Sequence, residues 1–462
     1  MNNKVIFSEE LIRRYDTLGP RYTSYPTAVQ FKDNIGASDY LDWVKSSNDD
    51  PIPKSLSLYL HIPFCDTICY YCGCSKVITK DKSKAEHYIQ LLMKEIKLQG
   101  KLFAKDRQVS QIHWGGGTPT FLSDNEIRQI IQCIRENFNV PADDLVEFGI
   151  EVDPRTVDHE RIKNIGDLGF NRISFGVQDF NDSVQQAVNR VQSTEQIKQH
   201  IIDARKYHFK SINIDLMYGL PHQTVSSFSD TLDTTIELDP DRIAIYNYAH
   251  LPEMFKPQRR INEEDLPTAE EKLNILKLCI DKLQDAGYAY IGMDHFAKTS
   301  DSLVKAQQNG TLHRNFQGYS THADSDIVAM GITAISNIGD NYSQNVRTIE
   351  EYENCLNQDQ IPVFRGIELE DDDIMRREII NQLMCNNKLD IARLEKRWGI
   401  DFKSYFEAPL KNLQAMADDG LVKLSKTKLS ITGSGRLLAR SICMQFDRYL
   451  QQKDKSRFSR VI

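Results

Sequence analysis

The stretch Leu56-Ser-Leu-Tyr-Leu-His-Ile-Pro-Phe-Cys65-Asp-Thr-Ile-Cys69-Tyr-Tyr-Cys72 sets two patterns back to back. From 56 to 62, three leucines and Ile62 alternate with Ser57, Tyr59 and His61, the two-residue period of a β-strand with one apolar and one polar face. Directly after it comes a loop with cysteines four and then three residues apart. Further strand-like runs appear at 111–115, 146–153, 170–178, 211–219 and 242–250, and helical patterns separate most of them. One such helix is well marked. Ser123 and Glu126 form a capping box, and Ile127, Ile130, Ile131 and Ile134 line one face.

Strands alternating with helices imply parallel βα units with right-handed crossovers, so six units predict an α/β fold, a partial (β/α)6 TIM-like barrel. The alternation recurs along these strands. Val146, Phe148, Ile150 and Val152 oppose Glu147, Gly149 and Glu151; Ile173, Phe175 and Val177 oppose Ser174, Gly176 and Gln178; Ile212, Ile214 and Leu216 oppose Asn213, Asp215 and Met217. Helices would cover the apolar face and leave the polar one to line a wide interior. An antiparallel sheet with its polar face in water is the competing reading, which the intervening helices disfavour. Active sites of such barrels gather at the carboxyl ends of the strands, which places Glu151, Asp153, Gln178 and Asp215 for work.

Around this core, residues 1–55 read as an arm with turn-rich stretches such as Leu18-Gly-Pro-Arg-Tyr-Thr-Ser-Tyr-Pro26. The barrel is expected over 56–300, with Gly287–His295 as one more strand. Residues 301–369 are expected to be a connecting segment that opens with a long polar loop over 300–325. A small, mostly helical domain is expected over 370–462, with helices near 373–386, 391–398 and 410–419, a β-hairpin at 421–431 and a last helix near 435–450.

Composition narrows the class. The 462 residues are 40% hydrophobic and 26% charged, as in ordinary globular proteins. No apolar run is long enough for a membrane span, and MNNKVIFSEE lacks a signal-peptide core, so a cytoplasmic protein is expected. A net charge of −8 argues against nucleic acid as a partner. The nine cysteines are odd in number and uneven in placement, with four between 65 and 74, which argues against a disulfide framework.

Thiolates are the usual ligands of iron-sulfur clusters, and three of them on a four-iron cluster leave one iron open to another ligand. Structural zinc with Cys74 as fourth ligand is the alternative, although closed zinc sites usually spread their ligands over two separate pairs. The run His113-Trp-Gly-Gly-Gly-Thr-Pro119 follows the second strand, and its glycines let backbone approach a ligand closely.

The Cys65/Cys69/Cys72 spacing resembles that of the radical S-adenosylmethionine (SAM) superfamily. Pro20-Arg-Tyr-Thr-Ser-Tyr-Pro26, Tyr59–Cys65, Cys72-Gly-Cys74, Ile150–Pro154, Phe175–Asp179, Asn213–Leu216, Tyr218–Pro221, Asn247–Pro252 and His313–Tyr319 look like motifs of its oxygen-independent coproporphyrinogen III oxidase family. The resemblance implies a radical SAM barrel with a 4Fe-4S cluster on the three cysteines and two SAM molecules. It implies Tyr59, Gly116, Glu151 and Ile335 around the first SAM, with Tyr59 and Glu151 at the catalytic centre. Around the second it implies Tyr71, Gly117, Thr118, Gln178, Arg190, Asp215 and Ala249. The implied reaction converts two propionates of coproporphyrinogen III to vinyl groups, with a one-electron reductant such as a flavodoxin or ferredoxin, in a monomer.

A tetracarboxylate substrate needs cations, and Arg21, Arg259, Arg260, His313 and Arg314 are the candidates. The arm is expected to fold over the substrate. Related haem-binding chaperones share the cysteine motif but typically lack the Arg-Tyr-Thr-Ser-Tyr-Pro arm and a cysteine at the position of Cys74, both present here.

Overall fold

The computed structural model describes residues 4–142, 144–323 and 325–450. Six parallel strands and six helices alternate along the chain: β1 (Ser55–Ile62), α1 (Ser83–Leu102), β2 (Val109–Gly116), α2 (Asp124–Asn137), β3 (Glu147–Val152), α3 (His159–Asp167), β4 (Arg172–Gln178), α4 (Thr194–Lys206), β5 (Ser211–Tyr218), α5 (Val225–Glu237), β6 (Arg242–Asn247) and α6 (Ala269–Asp285). The alternation that predicts them also explains their packing. Leu56, Leu58, Leu60 and Ile62 are buried against the helices, while Ser57, Tyr59 and His61 point the other way. The cap of α2 forms as expected: the Glu126 amide donates to Ser123 Oγ at 3.3 Å, and the Ser123 amide donates to Glu126 Oε2 at 2.6 Å.

The sheet runs further than six strands. Beyond β6 lie β7 (Tyr288–Gly292) and β8 (His295–Lys298), an antiparallel hairpin turning at Met293 and Asp294, where one strand was expected. Met293 adopts a positive φ of 53°, which breaks the strand. The expected polar loop over 300–325 is instead a helix, Ser302–Asn309, capped by Asp301 and Gly310, then a hairpin of β9 (His313–Asn315) and β10 (Gly318–Ser320). Its strands are too short and polar to show a period.

Residues 325–369 supply β11 (Ser325–Met330), β12 (Ile335–Ile338), β13 (Asn341–Asn345) and β14 (Val363–Ile367). The β11 strand runs parallel to β1 and covers its free edge, giving a twelve-stranded sheet in the order β14-β13-β12-β11-β1-β2-β3-β4-β5-β6-β8-β7.

After residue 370, helices at Asp371–Asn386, Ile391–Trp398 and Glu407–Asp418 pack with a three-stranded sheet; the hairpin Val422–Leu424/Lys428–Ile431 gains Lys388–Asp390 as a third strand. The expected last helix is a run of short turns, with five α-helical residues at Ala439–Cys443.

The arm is more than a cover. Tyr22 and Tyr25 are buried in one core with Ile379, Leu383 and Phe446, and the Tyr22 hydroxyl donates to Asp447 at 2.9 Å. Arg440 binds the carbonyls of Gly19 and Pro20. Under the barrel, Arg107 Nη2 meets Asp326 Oδ2 at 2.7 Å, both side chains 1% exposed.

Candidate active site

The loop that follows β1 is pinned on three sides. The Tyr70 amide donates to the Val188 carbonyl at 3.0 Å, Asn189 Nδ2 donates to the Ile68 carbonyl at 2.7 Å, and Gln258 Nε2 donates to the Tyr71 carbonyl at 2.9 Å. On this loop Cys69 is buried, and its Sγ accepts from Arg190 Nη1 at 3.3 Å and Arg155 Nη2 at 3.4 Å. Asp153 bridges both guanidiniums, at 2.6 Å to Arg155 and 3.1 Å to Arg190. Burial raises the Asp153 carboxyl, but Arg190 and Arg155 outweigh it and hold the group below its ordinary range. Cys65 Sγ lies 3.4 Å from Thr118 Oγ1, and burial pushes this thiol up to about 11. Cys72 shifts the other way, held down by the Cys74 thiol and Lys76.

The glycine run explains why no side chain can intervene. The amides of Gly117 and Thr118 donate to the carbonyls of Ile62 and Phe64, both at 2.8 Å. A Cβ on Gly117 would sit 2.7 Å from the Pro63 carbonyl and 2.8 Å from that of Phe64, both backbone atoms leading into the cysteine loop. Gly117→Ala is therefore expected to displace the loop and to cost about 1–3 kcal/mol. Iron and sulfide per reconstituted chain should fall with it; full cluster content at unchanged melting temperature would contradict the geometry.

Inside the barrel, a cavity of about 160 Å³ is walled by the polar strand faces, including His113, Glu151, Ser174 and Asp215. Tyr59 stacks on His113 with ring centroids 6.1 Å apart, and His113 Nε2 lies 3.3 Å from Glu151 Oε1. Burial lifts the Tyr59 phenol well above its ordinary range, and the Glu151 charge adds to this. Asp215 accepts from Asn213 Nδ2 at 2.8 Å and Ser174 Oγ at 3.0 Å; burial, then Glu151, raises its carboxyl to about 6. Gln178 ends β4 with φ +71° beside a register shift, the strained backbone that functional positions often hold.

Gly116 adopts φ +115° with His61 against it. Tyr71 packs with Val188, Leu220 and Tyr248, one residue before the exposed Ala249. Ile335 packs with the Phe31 and Tyr342 cluster, and its neighbour Ala334 belongs to the cluster that Tyr59 packs against. His113 and Arg155 were not singled out from sequence. His113 opens the quoted glycine run and Arg155 directly follows the quoted Ile150–Pro154, but neither has a pattern that marks its role.

Of the proposed cations, Arg21 is bound to Asp294, and Arg259 and Arg260 are exposed, the latter over the Tyr70 ring at 5.3 Å. His313 lies 3.5 Å from Asn381 Nδ2, and Arg314 is buried over the Tyr319 ring.

Three thiols on one pinned loop, one of them held by two guanidiniums, fit an anionic iron-sulfur cluster. Among the described residues no three His, Cys, Asp or Glu side chains stand close enough to hold a single metal ion. Thiolates bound to different irons of a cluster stand farther apart than the ligands of one ion.

A parallel partial barrel with this loop at its mouth is the arrangement of the radical SAM class, and the Radical SAM superfamily model matches residues 59–235. The HemN C-terminal domain model matches residues 369–438. The chain is 49% identical to the oxygen-independent coproporphyrinogen III oxidase of Pseudomonas aeruginosa over the full length of both. It is 48% identical to that of Escherichia coli K12, with 98% of each chain covered. The solved coproporphyrinogen III oxidase (HemN) of Escherichia coli, a radical SAM enzyme, superposes with a TM-score of 0.91 at 46% identity, covering 96% of this chain and all of that one. The chain belongs to the oxygen-independent coproporphyrinogen III oxidase family.

Proposed function

We propose that the chain oxidatively decarboxylates two propionate groups of coproporphyrinogen III to vinyl groups, yielding protoporphyrinogen IX without molecular oxygen. The observation that carries this is the thiol loop, set at the mouth of a polar-lined barrel in a chain of this family. A 4Fe-4S cluster held by Cys65, Cys69 and Cys72, together with SAM, would supply the radical chemistry that removes a hydrogen atom from the propionate β-carbon. The substrate then loses carbon dioxide and one electron, which goes to an acceptor. The chain's own part is to hold, orient and enclose: Cys65, Cys69 and Cys72 ligate, the paired guanidiniums of Arg155 and Arg190 offset thiolate charge, and the barrel walls exclude water.

Two SAM molecules are part of this reading, with Tyr59, Gly116, Glu151 and Ile335 around one and Tyr71, Gly117, Thr118, Gln178, Arg190, Asp215 and Ala249 around the other. A carboxylate at Asp215 suits ribose hydroxyls, which donate to it. Because its carboxyl is raised to about 6, lowering the pH through that value adds a proton, removes the negative charge and turns one of its acceptor oxygens into a donor. SAM stoichiometry in equilibrium dialysis is expected to fall between pH 7.5 and 5.5, and Asp215→Asn should flatten the profile; identical profiles for both chains would refute the role.

We take the enzyme to be a cytoplasmic monomer reduced by a one-electron carrier such as a flavodoxin or ferredoxin. Its nine unpaired cysteines suit a reducing compartment, and no described helix is long and apolar enough to cross a membrane. The deciding experiment is an anaerobic assay of reconstituted protein with SAM, reductant and coproporphyrinogen III. Protoporphyrinogen and 5′-deoxyadenosine should form together; stable haem binding with neither product would favour a haem carrier instead.

A further inference from the structure

A second cavity, of about 90 Å³, lies beneath the arm, roofed by Tyr22–Tyr25. Its walls carry Lys54, His313, Arg314, His322 and Arg377, and no described Asp or Glu lines it. Arg377 is balanced by Asp340, and His322 leans toward Glu147 at 3.8 Å. Arg314 differs. It is 7% exposed, its guanidinium lies 4.6 Å from the Tyr319 ring centroid, and its Nε and Nη1 atoms are buried without a hydrogen-bond partner. A buried guanidinium with idle donors is costly unless an anion completes it, and a carboxylate matches its fork of N–H groups.

We infer that this cavity is an anion subsite that holds one carboxylate of the substrate, with Arg314 as its central donor. The assignment rests on the proposed function, which supplies a ligand with four carboxylates. The β9–β10 hairpin borders both this cavity and the interior one that carries Glu151 and Asp215, which makes the two cavities neighbours. The volume suits a carboxylate side arm and not the macrocycle. Anchoring one arm here would leave another to be presented at the barrel mouth. SAM also carries a carboxylate, so the test must tell the two apart.

Coproporphyrin III, the stable aromatic form of the substrate, is titrated by fluorescence against the full-length chain, wild type, Arg314→Gln and Arg314→Lys. SAM affinity and melting temperature are measured alongside. R314Q is expected to weaken coproporphyrin III on the order of 30-fold, with R314K intermediate and SAM affinity unchanged. The tetramethyl ester should bind wild type more weakly, and R314Q should add less loss to the ester than to the acid. If R314Q does not fold, R314K and the ester series carry the same test. Equal coproporphyrin III affinity in wild type and the variants overturns the subsite alone, as does a loss confined to SAM. A wild-type chain that binds no coproporphyrin III overturns the substrate reading as well.

Discussion

Replacing Cys69 by serine is expected to abolish 5′-deoxyadenosine and protoporphyrinogen together. Serine keeps the size but not the soft, readily ionised sulfur that iron-sulfur ligation requires. This thiol is the most constrained of the three, buried and approached by Arg190 and Arg155 at 3.3 and 3.4 Å. Without a thiolate, two guanidiniums face a neutral hydroxyl, so the pocket loses both its ligand and its charge balance. Reconstituted C69S should show little of the iron-sulfur absorbance of wild type while unfolding near the wild-type temperature, because Asp153 still pairs with both arginines. Retained turnover would sink the ligand assignment. A folded, inactive variant with a full cluster would move the defect to SAM binding.

Arg107→Ala should produce the largest loss of stability away from the site, about 3–5 kcal/mol. Four groups converge on this guanidinium: Asp326 at 2.7 Å, the Lys54 carbonyl at 2.9 Å, Asn48 Oδ1 at 3.1 Å and Ser47 Oγ at 3.2 Å. Truncation leaves the Asp326 charge buried with, among the described residues, the Gly339 amide and the Ser47 hydroxyl as its remaining hydrogen-bond donors. Denaturant unfolding would measure the cost, and added salt should change it little because the pair is out of reach of counterions. Pairing Arg107→Met with Asp326→Leu should recover part of the loss, but not all, since the Lys54 carbonyl and the Gly339 amide would stay unmet. A loss below about 1 kcal/mol for R107A would mean the pair contributes no more than an exposed one.

How far the sequence could be read follows from which faces meet which surroundings. In β1 to β6, one face meets helices and the other a polar cavity, so their alternation is sharp and both the barrel and its lining residues are legible. The β11 strand is buried along nearly all its length, so Ser325-Asp-Ile-Val-Ala-Met330 shows no alternation and passes for a connector. The β9–β10 hairpin is polar because it borders two polar cavities, and so it resembles a loop. The cysteine triad is legible because its spacing is local. The Arg190–Cys69 and His113–Glu151 contacts join residues far apart in the chain, and nothing at either position marks the partner.

The stitching of the arm to residues 436–447 bears on how the molecule is made. Tyr22 waits for Asp447, and Gly19 and Pro20 wait for Arg440, so this stretch of the arm takes its last partners only when nearly the whole chain has been made, although Arg21 can pair earlier with Asp294. The cysteine loop, at 65–72, emerges several hundred residues earlier. The thiol loop is thus translated long before the stretch at 19–22 can close on the far end of the chain.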